Sequence, residues 1–160
     1  MTARRLLCVL IMLLLVIVQP GQAGEVQPVK LSDKDKCPVC GMFVAKYPDF
    51  LAQIVFADGS QVWFDGVKDM MKYYFDLPKY NPGKKADDIK AVFVADYYSL
   101  KSIDGLKALY VVGSDVYGPM GRELIPFGDE AAAKEFLADH KGQAFLTFSQ
   151  ITPDVIKTLD

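Results

Sequence analysis

Apolar and polar positions in the first half of the chain alternate over short stretches, in a pattern typical of strands. Residues 50–57 and 61–64 are two such stretches, rich in branched and aromatic side chains. Asp58-Gly59 lies between them, and this dipeptide is a strong signal for the tight turn of a β-hairpin. The pattern therefore predicts that the first two strands pair with each other.

A helix is expected directly after this hairpin. From Val67 to Phe75 the apolar residues recur at helical spacing, and Asp65 can cap the first turn. Pro78 is expected to end the helix, because proline lacks the N–H that a helix needs. After a polar loop, residues 89–96 alternate again and complete a strand–strand–helix–strand order.

The second half of the chain repeats this order. The predicted elements are strands at 106–112 and 123–127, a helix at 130–140 and a last strand at 144–148. Phe64-Asp65-Gly66 and Phe127-Gly128-Asp129 stand at the strand-to-helix junction of each half. We therefore expect an α+β fold of two tandem ββαβ units, at 37–98 and 99–160, that form one compact protein. A single α+β domain whose halves are similar by accident is the alternative.

The N-terminus has the pattern of a secretory signal peptide. Arg4 and Arg5 precede 13 consecutive apolar residues, Leu6 to Val18, whereas a membrane-spanning helix needs about 20. Small residues then lead up to Ala23, so we expect residues 1–23 to be cleaved off and the protein to be exported to the periplasm. A leader retained as an anchor is the alternative, and only in that case is membrane attachment expected.

The mature chain is expected to begin with a polar, flexible lead-in at 24–36. We expect no lipid anchor, because Cys8 lies inside the apolar run and no cysteine follows it in the arrangement of lipoproteins. Removal of the leader takes away two arginines and no acidic residue, which changes the formal net charge from −2 to −4. This mild acidity gives no electrostatic basis for binding nucleic acid.

The numbers of histidines and cysteines limit the metal chemistry of the chain. One histidine and three cysteines exclude three-histidine zinc sites, the His-Glu-x-x-His protease helix and two-histidine blue copper, unless a partner chain adds ligands. Cleavage of the leader also removes Cys8. The soft or nitrogen ligands that stay are Cys37, Cys40, His140 and four methionines.

Lys36-Cys37-Pro38-Val39-Cys40-Gly41-Met42 is the most informative segment. A turn between two cysteines three residues apart directs both sulfurs to the same side, and Pro38 and Gly41 have the backbone preferences that such a turn needs. Met42 adds a third soft sulfur. Because thiolates with a thioether favour Cu(I) over hard cations, the segment predicts a Cu(I) site.

Three other uses of Cys37 and Cys40 stay open: a structural disulfide, a thioredoxin-like redox pair and a zinc knuckle. The motif precedes the first strand and does not join a strand to a helix, which makes a thioredoxin-like site less favoured. Zinc usually takes four ligands, and these cysteines with His140 provide three. A c-type haem site needs a histidine directly after Cys40, where Gly41 stands.

Two residues of the second half are further candidate ligands. Met120 lies among glycines and a proline, so we expect its thioether to be displayed on a loop, with a packed loop anchor as the alternative. His140 ends the second predicted helix, where it either ligates a metal or stabilises the helix end as a cation. Met70 and Met71, at helical spacing, are assigned to the core.

These stretches together resemble the NosL family, exported copper-binding accessory proteins for the assembly of nitrous-oxide reductase. The resemblance covers roughly Cys37 to Ile151 and is carried by Cys40-Gly41-Met42, Tyr110-Val111-Val112-Gly113-Ser114, Gly118-Pro119-Met120-Gly121, Ile125-Pro126-Phe127-Gly128, Ala131-Ala132-Ala133-Lys134-Glu135-Phe136 and Asp139-His140-Lys141-Gly142. It implies two ββαβ units and one Cu(I), held by cysteine and methionine sulfur and delivered to the copper centres of the reductase. Many members are lipoproteins, whereas this sequence lacks the cysteine arrangement of a lipoprotein. Some members have only the second of the two cysteines, the one that corresponds to Cys40.

We therefore expect a periplasmic copper chaperone and not an enzyme. Cys40 and Met42 are the expected primary ligands, with Cys37 or Met120 completing the site and His140 as a further candidate. Ligand exchange is expected to pass the Cu(I) to nitrous-oxide reductase or its assembly machinery. The alternatives are a thiol-disulfide oxidoreductase that uses Cys37 and Cys40, and a zinc-knuckle interaction module.

Overall fold

The structure is a computed structural model that describes residues 26–160, so the predicted signal peptide lies outside the described residues. The strands are β1 (Ala52–Phe56), β2 (Gln61–Phe64), β3 (Ile89–Ala95), β4 (Ser102–Asp104), β5 (Leu109–Val112), β6 (Tyr117–Gly118), β7 (Gly121–Arg122), β8 (Ile125–Phe127) and β9 (Ala144–Thr147). The α-helices are α1 (Val67–Phe75), α2 (Leu77–Tyr80), α3 (Glu130–Asp139) and α4 (Pro153–Lys157). Single 3-10 turns are found at Val44–Lys46, Pro48–Phe50, Ala86–Asp88 and Phe148–Gln150. Within residues 26–160, no helix is long and apolar enough to cross a membrane.

Two antiparallel sheets organise these elements. The first sheet has the strand order β2-β1-β3-β4 and the second has the order β8-β5-β9, while β6 and β7 form a separate hairpin. In each sheet the first strand of the unit lies between the second strand and the strand that follows the helix. β1 thus lies between β2 and β3, and β5 lies between β8 and β9. The predicted hairpin is present, with Ala52 opposite Phe64. The predicted α+β fold with two ββαβ units is therefore confirmed.

The main hydrophobic core is shared by both halves of the chain. Met70 and Met71 on α1 are fully buried, as predicted, and α1 packs on the first sheet. The same cluster includes Tyr110 of β5, Leu124 before β8 and Ile156 of α4. Burial of a large apolar side chain contributes about 1.5–3 kcal/mol, so these contacts join the two units strongly.

A smaller core lies between α3 and the second sheet. Its buried members are Val111, Ile125, Phe127, Ala133 and Phe136. The rings of Phe127 and Phe136 lie 5.0 Å apart between centroids, within the range at which aromatic pairs attract. α1 and α3 therefore each cover the sheet of their own unit.

Several elements lack a clear periodic pattern and were not predicted. β4 pairs with β3 at the edge of the first sheet, and α4 packs against α1, so both connect later residues to the first unit. α1 ends at Phe75, before the predicted stop. Pro78 lies instead in the first turn of α2, where a helix tolerates the missing N–H.

The described part of the lead-in contacts the outer side of the first sheet. The Val29 N–H donates to the Gln53 Oε1 at 3.2 Å, and the Gln53 Nε2 donates to the Val29 carbonyl at 3.4 Å. Gln53 belongs to β1 and is fully buried. The lead-in thus provides partners for a buried amide that is costly to leave unpaired.

The start of α1 is capped by a carboxylate from the other half of the chain. The prediction that Asp65 caps this helix is wrong, because Gly66 occupies the N-cap position and makes no side-chain hydrogen bond. Glu123, between β7 and β8, accepts the backbone N–H of Lys68 at 2.6 Å. This bond satisfies one of the N–H groups that a helix start leaves without an intrahelical partner.

The corresponding helix of the second unit has an ordinary local cap. Asp129 stands at the N-cap of α3 and accepts the Ala132 N–H at 3.0 Å. The two repeated units therefore cap their helices differently. Because Glu123 supplies the cap of α1 from a distance, the carboxylate of Asp65 is free for another use.

Two buried charged side chains reinforce this contact between the halves. Lys68 is buried, and its Nζ donates to the carbonyls of Met120 at 2.7 Å and Leu159 at 3.0 Å. Burial also raises the pKa of Glu123 to about 7. Gly66 is needed at its position, because a Cβ there would overlap a Glu123 carboxylate oxygen.

The distant cap gives a stability prediction. Replacement Glu123→Ala removes the acceptor of two backbone N–H groups and is expected to lower the free energy of unfolding by about 2 kcal/mol. Urea denaturation followed by circular dichroism measures this change. Glu135→Ala on the exposed face of α3 is the control, and equal losses in the two variants would contradict the role of Glu123.

Glu123→Gln separates the hydrogen bonds from the charge. The folded pKa near 7 lies above the unfolded value, so the folded protein holds more protons and loses stability as pH rises from about 4.5 to 7. The glutamine side chain keeps an acceptor oxygen but cannot ionise. We therefore expect the variant to lack this part of the pH dependence, whereas the parent chain shows it.

Candidate metal centre

Residues 36–43 form a narrow turn that presents two thiols on the same side. The two ends of the segment pair in a β-bridge, and the Cys37 N–H donates to the Met42 carbonyl at 2.9 Å. The Gly41 N–H donates back to the Cys37 carbonyl at 2.8 Å. Gly41 has a φ of +79°, which other residues adopt only with strain, so the turn after Cys40 depends on this glycine.

The start of α1 brings two carboxylates to these thiols. Asp65 precedes the helix and Asp69 lies in its first turn, four positions later, so both side chains project from the same side. The Cys37 Sγ lies 3.4 Å from the Asp69 Oδ2, and the Cys40 Sγ lies 3.2 Å from the Asp65 Oδ1. We call these four residues the Cys–Asp cluster; one ligand atom from each lies within 4.8 Å of the others.

The Cys–Asp cluster is closed on one side and accessible on the other. Cys37, Asp65 and Asp69 are buried, with at most 2% of each residue exposed, whereas Cys40 is only half-buried. Cys37 belongs to the main hydrophobic core. An ion in the cluster would therefore exchange with the outside past Cys40.

Burial keeps both thiols protonated. It raises the pKa of Cys40 to about 11, and the hydrogen bond to Asp65 contributes to the rise. Burial raises the pKa of Cys37 much further, again with a contribution from Asp65. Each thiol therefore donates a hydrogen bond to a carboxylate, Cys37 to Asp69 and Cys40 to Asp65.

This electrostatic environment differs from that of a catalytic cysteine pair. Redox-active and nucleophilic cysteines have lowered pKa values, which neighbouring positive charge or a helix N-terminus produces. Cys37 and Cys40 are free thiols with raised pKa values and face two carboxylates. The geometry therefore favours a metal site over the thiol-disulfide oxidoreductase that the sequence left open.

Met42 lies directly beside the cluster in sequence. Its side chain is half-buried, and its Sδ accepts a hydrogen bond from the Tyr47 hydroxyl at 3.4 Å. Tyr47 therefore holds the thioether in one orientation. Met42 must exchange this weak hydrogen bond for a metal bond in order to act as a ligand.

Met120 lies in the turn between β6 and β7, and 45% of it is exposed, as expected for a displayed methionine. Its carbonyl accepts the hydrogen bond from the Lys68 ammonium described above. Lys68 precedes Asp69 directly, so the hairpin that carries Met120 is anchored to the helix of the Cys–Asp cluster. The structure thus brings this turn to the same helix start.

His140 is located elsewhere, at the end of α3. Its Nδ1 lies 3.1 Å from the Asp115 Oδ1, and its ring stacks on Phe136 with centroids 4.3 Å apart. Within residues 26–160, His140 does not join the group of potential ligands around Cys37. Its contacts are those of a hydrogen bond to Asp115 and an aromatic stack in the second unit.

Sequence reasoning missed Asp65 and Asp69 as parts of the site. The local sequence favours a helix cap for Asp65, and Asp69 has no feature of its own among the charged residues of α1. The available signal was their spacing of four positions at the start of a helix otherwise lined by apolar residues. Two acidic residues on the inner side of such a helix indicate a partner cation or proton donor.

The family of the chain follows from a comparison with known proteins. The sequence model of the NosL family matches residues 28–156. The chain belongs to the NosL family. The matched region contains all the strands of both ββαβ units and the whole Cys–Asp cluster, so the resemblance seen in the sequence motifs is confirmed.

Two NosL proteins illustrate the relationship. The copper-binding lipoprotein NosL of Stutzerimonas stutzeri is 31% identical over 143 residues, which are 82% of this chain and 71% of that protein. The crystal structure of the copper chaperone NosL from Shewanella denitrificans matches with a TM-score of 0.69 at 23% identity, over 80% of this chain and 97% of that chain. This second match shows that the NosL fold is shared.

The raised pKa values predict slow thiol chemistry in this NosL chain. Alkylation requires the thiolate, so at pH 8 we expect Cys40 to react with iodoacetamide about 100-fold more slowly than an ordinary cysteine. The rate should rise with pH up to about 11. Asp65→Asn removes one cause of the raised pKa and should speed the reaction.

Labelling of the same protein in urea is the control. It uses the same reagent and the same sequence, and unfolding exposes both thiols. Mass spectrometry after timed quenching assigns the label to Cys37 or Cys40. A folded protein that reacts faster than the unfolded chain would contradict the account and indicate an activated, redox-type cysteine.

Proposed function

We propose that this protein is a periplasmic carrier of Cu(I), which binds at the Cys–Asp cluster and is passed on by ligand exchange. The observation that carries the proposal is the convergence of the Cys37 and Cys40 sulfurs in one cluster, next to Met42. Thiolates and thioethers are the soft ligands that Cu(I) prefers. The copper-binding name of the Stutzerimonas stutzeri relative supports this choice of ion.

In this proposal Cys37 and Cys40 are the main ligands, and Asp65 and Asp69 accept their protons. Cu(I) displaces one proton from each thiol as the two copper–sulfur bonds form. The protons pass by way of the neighbouring carboxylates to water, and the copper keeps its oxidation state. Because binding releases protons, the affinity falls as the pH is lowered.

Transfer begins at the accessible side of the cluster. Cys40 is half-buried and Cys37 is buried, so a thiol or thioether of the acceptor replaces Cys40 first while Cys37 still holds the ion. Met42 and Met120 are proposed as additional sulfur ligands during loading or transfer. In this scheme His140 lies outside the site.

The proposed acceptor is nitrous-oxide reductase or its assembly machinery, which we infer from membership of the NosL family. The role is that of a carrier and not of an enzyme. We further propose export through the predicted signal peptide at 1–23, which the lipoprotein name of the relative supports. The lack of a lipid anchor stays a prediction, based on the absence of a cysteine in the lipoprotein arrangement after the apolar run, and the lipoprotein name of the relative does not support it.

Zn(II) binding is the second candidate function, and the two carboxylates favour it. The sequence provided only three ligands for zinc, but Asp65 and Asp69 bring the number to four with the two cysteines. Zinc accepts both thiolate sulfur and carboxylate oxygen in tetrahedral sites. A divalent ion also neutralises more of the buried negative charge than Cu(I) does.

Titration of the reduced protein with Cu(I) against a competing chelator tests the proposal. We expect one Cu(I) per chain, and we expect Cys40→Ser and Cys37→Ser each to weaken binding by more than about 100-fold, since even outer contacts of metal sites contribute 10–100-fold. Asp65→Asn and Asp69→Asn should cost less than the cysteine substitutions. His140→Ala is the matched control and should bind like the parent chain.

A parallel titration with Zn(II) distinguishes the two candidates. The copper proposal predicts that Zn(II) does not displace bound Cu(I) and that the carboxylate variants affect Zn(II) more than Cu(I). Absence of one-to-one Cu(I) binding, or unchanged affinity in Cys40→Ser, would contradict the copper proposal. Displacement of Cu(I) by stoichiometric Zn(II) would favour the zinc candidate.

A further inference from the structure

We propose that the surface around Phe43 is the docking site for an acidic face of the copper acceptor. We call Lys36, Phe43 and Lys46 the Phe43 surface. This inference rests on the proposed function, because it concerns the partner that receives the ion. It adds the chemistry of the partner's contact face, which is an apolar side chain surrounded by carboxylates.

The position of Phe43 supports docking at this place. Phe43 directly follows Met42 and closes the turn that carries both cysteines, through its bridge to Lys36. It is 40% exposed although it is a large apolar residue. A single exposed phenylalanine is common, so its place at the end of the turn that contains Cys40 is the informative point.

Two lysines frame this ring. The Lys36 Nζ lies 4.7 Å from the centre of the Phe43 ring, and the Lys46 Nζ lies 5.7 Å from it. Neither ammonium forms a salt bridge with any residue in the described range 26–160. Both lysines are exposed and are therefore available to carboxylates of a partner.

The surrounding segment is more basic than the protein as a whole. Residues 30–46 contain the exposed lysines Lys30, Lys34, Lys36 and Lys46, with Asp33 and Asp35 as their acidic residues. The whole chain has a formal net charge of −2. The segment that contains both cysteines thus carries a local excess of positive charge, although the net charge of the whole chain is negative.

The Phe43 surface also has room for a partner side chain. An open cavity of about 390 Å³ is lined by Asp33, Phe43, Ala45 and Lys46. Phe43 and Ala45 make its apolar part. The cavity can receive one apolar side chain of the partner, while Lys36 and Lys46 pair with its carboxylates and Asp33 disfavours further acidic groups.

An acidic protein fits this surface better than an anionic membrane. In the proposed function the ion leaves past Cys40, and a partner docked on Phe43 contacts the turn that contains Cys40. Complementary charges raise the rate of association and make it sensitive to salt, and they also orient the partner. Anionic vesicles offer negative charge but no acceptor ligand for the ion.

The test compares two synthetic Cys-x-x-Cys peptides as Cu(I) acceptors, one flanked by glutamates and a leucine and the other by lysines and a leucine. Stopped-flow measurement of transfer from the Cu(I)-loaded protein gives the rate for each. We expect the acidic peptide to receive copper at least about 10-fold faster at low ionic strength, and we expect salt to reduce this preference.

Variants locate the effect on the protein. Lys36→Glu with Lys46→Glu should abolish the preference for the acidic peptide, and Phe43→Ala should slow transfer to both peptides. Lys90→Glu with Lys101→Glu makes the same change in net charge at two other exposed lysines and should leave the preference intact. Cu(I) affinity is measured for each of these proteins, so that a change at the site itself is separated from a change in docking.

The outcomes separate this inference from the proposed function. A protein that takes up no Cu(I) contradicts the proposed function before any transfer is measured. Normal loading with equal rates for both peptides, or equal effects of the two double variants, overturns the docking surface alone. Sedimentation with anionic vesicles that requires Lys36 and Lys46, without a peptide preference, overturns it in favour of a membrane contact.

Discussion

The hydrogen bond from the Lys68 N–H to the Glu123 carboxylate joins the two ββαβ units at the point where α1 begins. Asp65 and Asp69 project from that same helix start toward the cysteines. If the cap came from Asp65, as the local sequence suggests, its carboxylate would face the helix backbone and not Cys40. The arrangement of the Cys–Asp cluster therefore depends on an acceptor that is 55 residues away in the chain.

The two units show how a repeated fold can hold a site in only one of its copies. Both have the same strand order around a central strand, but α3 has its own cap in Asp129 and covers an apolar, aromatic core. The second unit contributes Glu123, the hairpin with Met120 and part of the shared core. Its main role in the site is therefore to fix the start of α1, while the first unit provides the four residues of the Cys–Asp cluster.

The sequence predicted the elements whose signals are local. The hairpin turn at Asp58-Gly59, the burial of Met70 and Met71 and the turn of the two cysteines all follow from neighbouring residues. The carboxylates of the cluster were not predicted, because an aspartate before a helix is most often a cap and only the tertiary structure supplies the competing cap. The carboxylate of Glu123 is likewise defined by a contact across the fold, which periodicity does not encode.

The central claim is that the thiols of Cys37 and Cys40 hold one Cu(I) beside α1. X-ray absorption at the copper edge of the Cu(I)-loaded protein tests it most directly, because it reports the atoms bound to the metal. The account predicts a coordination sphere dominated by sulfur that loses one sulfur in Cys37→Ser and one in Cys40→Ser. A coordination sphere of nitrogen and oxygen, or one that neither substitution changes, would contradict it.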